Sequence, residues 1–417
     1  MGAGPGRFQF SANGTRFRVY AQSPRLGFRD EVVVVDAVPG ALRPGPADAT
    51  IEVIDALDKL SYFKDSTFTM RVRPRPPFPP NGRRTPAPAV AKDGHFAHIR
   101  PGRRAFAAAM TFAVIRITLE IWQHFLQRRV TWHFAQTAGP ILQVHPRVKS
   151  ENAWSGDGFL EFGFPHGPAF SLTDPFGENL EVIAHETGHL IMKAVVGTMP
   201  DDERPLQHRA HEEGAADLIA LVVALHFESV ITTLLRQTAG FLYSDCLLAR
   251  VGEWGRKRGD VARNAFNQST LDSIRALPTF NKHQLSAPFT GAIYDVLVRI
   301  FLEHLAASGA VSRQLADDCR HDPAATPPVP DLAGTFADAY RGRHEVFEEP
   351  LRQARDEIAA LLAAAWRRTT IHDGVRYQRV LDHLLTADAE LGLSRGALLR
   401  DAFAARGITP SAAPAGR

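Results

Sequence analysis

Two histidines four residues apart, with a glutamate directly after the first, restrict one stretch of this chain to a single local structure. In His185-Glu186-Thr187-Gly188-His189 the imidazoles reach a common point only if the segment is helical, because residues four apart then lie one turn above each other on one face. Glu186 stands beside that point, placed to take a proton from a metal-bound water and pass it on. Gly188 costs such a helix about 1 kcal/mol relative to alanine, which calls for a packing or functional reason. Five residues are too short a pattern to decide anything alone, since a helix with two surface histidines satisfies it equally.

A third ligand decides. A catalytic zinc site takes three protein ligands and leaves one position to water. The run His211-Glu212-Glu213-Gly214-Ala215-Ala216-Asp217 begins 22 residues after His189 (211 − 189), far enough for a loop and a returning helix. Glu213 and Asp217 share a helical face, so Glu213 can be the third ligand while Asp217 accepts the second N–H of a zinc-bound histidine. Glu212 competes for the ligand role, but position 216 is alanine and gives it no carboxylate four residues on, so Glu213 is preferred. The plain alternative for Asp217 is a solvated helix acid or an ion-pair partner. Gly214, Ala215 and Ala216 are small enough to let two helices approach closely. The other histidines, His166, His208 and His211 among them, are read as surface or packing residues.

With both elements in view the chain resembles the thermolysin-like gluzincin metallopeptidases, whose His-Glu-x-x-His and Glu-x-x-x-Asp elements match HETGH and EGAAD. Two further stretches extend the resemblance. Asn152-Ala153-Trp154, followed by residues 158–163, is similar to the family's edge strand, which implies that Asn152 and Ala153 bind a peptide substrate as an added strand. His283-Gln284-Leu285-Ser286, with Tyr294 beyond, resembles the element whose histidine stabilises the oxyanion. The resemblance covers about residues 104–305. It implies an α+β fold of two lobes, one mixed α/β and one helical and C-terminal, with the zinc helices between them. It also implies Zn2+ on His185, His189 and Glu213, with Glu186 and His283 catalytic. Two departures stand out. The family's tyrosine would fall at Pro200, with no tyrosine nearby. The acid expected seven residues after Asp217 is Ala224, and Glu178 and Glu181 do not make up the six to eight oxygens that Ca2+ takes.

The rest of the chain sets the frame. Its 417 residues, 45% hydrophobic, are enough for two or three domains. The 48 basic residues nearly balance 45 acidic ones, so no nucleic-acid footprint emerges. Only Cys246 and Cys319 are present, too few for a disulfide scaffold or a cysteine zinc site. The N-terminus lacks a signal-peptide pattern and no stretch approaches 18 uninterrupted apolar residues, so the expectation is a soluble cytoplasmic protein without a membrane span. Residues 1–72 read as an extra β-rich region of unknown role, with a hairpin over 7–20 turning at Asn13-Gly14 and strands at 31–36 and 50–54. A proline-rich linker follows at 73–90. Region 91–227 is the expected α/β lobe, with a helix over 104–127, strands at 130–134, 141–145 and 159–164, and helices at 180–196 and 211–226. Region 228–310 is the expected helical lobe carrying His283. A linker at 311–335, helices over 336–405 built on Leu351, Ile358, Leu361 and Leu362, and a mobile tail complete the reading. Two alternatives stay open beside a peptidase: a zinc-containing binding or structural module, and a zinc hydrolase of non-peptide amides.

Overall fold

The computed structural model describes residues 6–57, 59–62, 86–165, 175–200, 202–252, 262–319 and 332–411. The proline-rich stretch at 73–88 falls almost wholly outside them. So do the second proline stretch at 324–330, His166 and residues 412–417 of the expected tail. The fold is mixed α/β.

Strand β1 (Thr15–Tyr20) pairs antiparallel with β2 (Asp30–Val35), placing Thr15 opposite Val35 and Tyr20 opposite Asp30. The hairpin expected over 7–20 is therefore not formed. Asn13-Gly14 reads as a tight turn, but Gly14 serves close approach instead: a Cβ there would lie 1.9 Å from the Val35 carbonyl oxygen. Phe8 and Phe10, read as strand residues, pack edge-on against His226 and Phe227.

A second sheet holds β3 (Ile51–Val53), β4 (Leu142–His145), β5 (Ala153–Gly156) and β6 (Phe159–Phe162) in the order β3-β4-β6-β5. The first two pairings are parallel and the last antiparallel, so β5 lies at the edge. The strand expected at 130–134 is absent. There the Trp132 indole N–H donates to the Thr50 carbonyl at 3.1 Å and the ring stacks on Phe134, a loop tied down by side chains rather than by a ladder.

Helix α1 (Arg104–Leu126) is buried on nearly every side because it lies between β1 and later helices. The short α2 (Ala135–Ala138) leads into β4. Helix α3 (Leu180–Val196) begins at Asn179, whose side chain accepts the Val182 N–H at 3.1 Å, a cap for an otherwise unpaired donor. It ends at Gly197 with φ +102°. Helix α4 (Leu206–Ala224) packs on α3, starting one turn earlier than its periodicity suggests. Next come α5 (Glu228–Thr238), the two-residue strands β7 (Arg250–Val251) and β8 (Arg263–Asn264), α6 (Leu271–Arg275) and α7 (Lys282–Ala307).

The linker expected at 311–335 contains α8 (Arg313–Asp318) and the start of α9 (Leu332–Tyr340). Beyond it, α10 (His344–Arg368), α11 (Tyr377–Leu391) and α12 (Gly396–Ala404) close the chain. Leu351, Ile358, Leu361 and Leu362 are buried as their spacing predicts, and α10 packs on α7 and α1. One hydrophobic cluster of the described residues runs from Phe17 through Ile408. By length and composition α1 and α7 could each cross a membrane, but 83% and 89% of their apolar windows are buried inside the protein. Membrane spans are not supported.

Candidate metal centre

Close helix packing builds the site. A Cβ added to Gly188 would lie 3.0 Å from the Ala216 Cα and 3.3 Å from its Cβ, so the glycine and the small residues of EGAAD let α3 and α4 touch. A Cβ at Gly214 would meet Phe289 and Thr290 of α7 at 2.9 Å. Three helices therefore converge, and with them the polar residues next to those glycines.

His185 and His189 present rings 4.7 Å apart and nearly perpendicular. The Nε2 atom of each lies 3.6 Å from a Glu213 oxygen. One ligand atom from each of the three residues falls within 4.8 Å of the other two, a grouping no other three His, Cys, Asp or Glu residues make among the described residues. Two imidazole nitrogens and a carboxylate oxygen are a donor set that suits zinc. Asp217 Oδ1 sits 2.9 Å from His185 Nδ1, the contact that orients the ring so that Nε2 faces Glu213. Glu212 points elsewhere, paired with Arg204 at 2.5 Å and near His208.

The charges here are strongly biased. Burial and the Arg263 cation push His185 down, yet the Asp217 and Glu213 carboxylates outweigh them and raise it to about 9. Two carboxylates facing the histidines favour positive charge here, and with the imidazole nitrogens they make a donor set that fits a divalent cation. Burial lowers His189. Glu213 is held well below the carboxylate range because the surrounding histidines outweigh its burial. Glu186 shifts the other way: it is buried, and desolvation raises its carboxyl despite His185, Arg263 and Lys282 nearby.

Two cations at the site were not anticipated. Arg263 Nε lies 2.8 and 2.6 Å from the two Asp217 oxygens, and its Nη2 lies 3.1 Å from both ring nitrogens of His185. Lys282 Nζ is 2.6 Å from Glu213 Oε1. Arg263 sits among scattered arginines and lysines, and nothing in its spacing marks it. Lys282 neighbours His283, and that adjacency was the one available signal.

His283, in the first turn of α7, reaches the centre, with Nδ1 3.1 Å from Glu213 Oε2 and 3.2 Å from Arg263 Nη1. Its side chain is 45% exposed. Ser286 donates to the His283 carbonyl at 2.8 Å. Tyr294 faces away, its hydroxyl donating to the Leu242 carbonyl at 2.8 Å in the core. A cleft of about 490 Å³ joins these groups to Asn152, Ala153 and Trp154 of the edge-strand segment, with Glu181 and Gly252 on its wall. No tyrosine lines it among the described residues, and Pro200 does not border it. His211 packs on Phe289 and is not part of the three-residue cluster. The two acids weighed for calcium are engaged elsewhere. Glu178 pairs with Arg147 at 3.7 Å, and Glu181 accepts from Gln22 and from the Gly252 N–H.

No protein-family model and no curated protein matches this sequence. Among solved structures, the precursor of protealysin, a metalloproteinase from Serratia proteamaculans, is similar at 13% identity and a TM-score of 0.34, over 76% of this chain and 89% of that one. At that score the likeness adds no weight, and the site stands on its own geometry.

Proposed function

We propose that this chain is a zinc-dependent metallopeptidase of the thermolysin-like gluzincin type. The observation that carries the reading is the convergence of His185, His189 and Glu213 within 4.8 Å, with Asp217 on the outer nitrogen of His185. These three would hold the metal, which when bound polarises the scissile carbonyl and acidifies a water.

Each remaining role belongs to a side chain of this protein. Glu186 is the general base, and its desolvated carboxyl suits a group that accepts a proton and then returns it to the leaving amine. His283 lies at the cleft where negative charge develops on the substrate carbonyl, and Lys282 and Arg263 add positive potential there. The edge strand β5, with Asn152 just before it, aligns an extended peptide through backbone hydrogen bonds.

The test is paired. Glu213→Ala should lose stoichiometric zinc, whereas Glu186→Gln should keep zinc and lose turnover of casein or a peptide library. Wild-type hydrolysis by Glu186→Gln overturns the mechanism. A second reading is a zinc-containing binding module, favoured by the cleft lacking a described tyrosine and by Glu213 being held by Lys282 and His283. Chelator-sensitive cleavage at neutral pH separates the two.

A further inference from the structure

Arg263 is held by Asp217 in the cleft and by the β7–β8 pairing, and the loop that follows it has a further anchor. After β8 the chain passes Asn267 and Ser269 to α6, and there it is fastened from the far end of the sequence. Arg406, just beyond α12, is 1% exposed. Its Nη1 donates to the Asn267 carbonyl at 2.5 Å and lies 3.4 Å from that of Ser269, while its Nη2 donates to Asp295 of α7 at 2.7 Å. The Arg406 carbonyl in turn accepts the Leu271 N–H at 2.9 Å.

Asn267 completes the joint. Its side-chain amide donates to the carbonyls of Asn264 and Ala265 at 3.2 Å, within the loop, and of Ala287 on α7 at 3.1 Å. Space for the arrangement comes from Gly291, where a Cβ would fall 3.0 Å from the Asn267 amide nitrogen and 3.2 Å from the Arg406 Cζ. A buried guanidinium is costly unless its charge and hydrogen bonds are answered. Here Asp295 answers the charge and loop carbonyls take Nη1, while Nε has no partner among the described residues.

From this geometry we infer that Arg406 is a positioning residue for the cleft. By pinning residues 264–271 against α7, it fixes where Arg263 meets Asp217, His185 and His283. The C-terminal segment is thereby part of the site although it touches no reacting group. The functional consequence rests on the metallopeptidase reading, while the structural link does not.

Hydrogen exchange on the full-length protein tests the link directly. In Arg406→Met, amides of residues 264–271 should exchange at least about tenfold faster while α3 and α4 stay protected. Unchanged exchange in the loop, or equal loss across α3 and α4, overturns the inference. Should that variant fail to fold, Asn267→Ala leaves the Arg406–Asp295 pair in place and must give the same local signature.

A double-mutant cycle then addresses function. Arg406→Met should lower kcat about tenfold in the wild-type background and less than about twofold when Arg263 is already methionine. Equal losses in both backgrounds would reduce Arg406 to a general stabiliser. If wild-type protein binds no zinc and cleaves nothing, the metallopeptidase reading fails, and the exchange result still decides the link.

Discussion

Asp217 carries more than its spacing suggested. It accepts from His185 and is also the counter-charge for Arg263, so Asp217→Asn removes the fixed orientation of one ligand and leaves a buried guanidinium short of its anion. Zinc affinity should fall ten- to a hundredfold, as read by chelator competition, with Glu213→Ala as the reference for complete loss. Gly188 gives a cleaner stability test. Alanine there gains about 1 kcal/mol of helix propensity, but its methyl meets Ala216 backbone at 3.0 Å, and overpacking costs about 1–3 kcal/mol. The net change in denaturant midpoint should be destabilising. Glu120 supplies a pH signature remote from the site: burial lifts its carboxyl from the ordinary 4.5 to about 7, with the Asp36 N–H and Arg116 opposing. The folded form then binds its proton more tightly than the unfolded chain, so this contribution to stability is full below about 4.5 and is lost as pH rises through about 7. Glu120→Gln should flatten that decline in pH-dependent melts. The convergence of His185, His189 and Glu213 was legible because helical geometry fixes which side chains share a face. Arg263 was not, because a cation brought in by a two-residue strand leaves no periodicity to read.

Elements followed the sequence where one residue type had one reason. Helices α1, α3 and α4 announce themselves through uninterrupted periodicity, and β3, β4 and β6 through short apolar runs between breakers. The misreadings are cases where a residue had two uses. Gly14 was taken as a turn residue but makes room for β2, and Trp132 was taken as a strand residue but anchors a loop. A pairing invisible to local pattern is the fully buried ion pair between Lys59 and Glu161 of β6, 2.5 Å apart, with the Tyr62 N–H and the Ser61 hydroxyl also on the carboxylate. Lys59→Met should cost about 3–5 kcal/mol, because it strands a buried anion rather than because the pair itself is strongly stabilising. Chemical denaturation checks this, and a loss under 1 kcal/mol would show that the anion finds another partner.

The molecule as a whole is less divisible than its composition implies. Proline-rich stretches invite a division into parts, yet one hydrophobic cluster joins described residues on either side of them. Trp122 of α1 and Trp366 of α10 lie 5.1 Å apart, both fully buried. A chain ending at residue 310 would expose the faces of α1 and α7 that α10 covers and should aggregate, as size-exclusion chromatography would report. The opposite end is bound just as closely. Gln22, just after β1, donates to Glu181, one turn before the first metal-site histidine, and the Gly252 N–H donates to the same carboxylate at 2.7 Å. Maturation by cutting away the N-terminal region would therefore remove a partner from a buried acid on the helix that bears the ligands. On the metallopeptidase reading, the leading residues belong to the support of the site rather than to a segment lying over it.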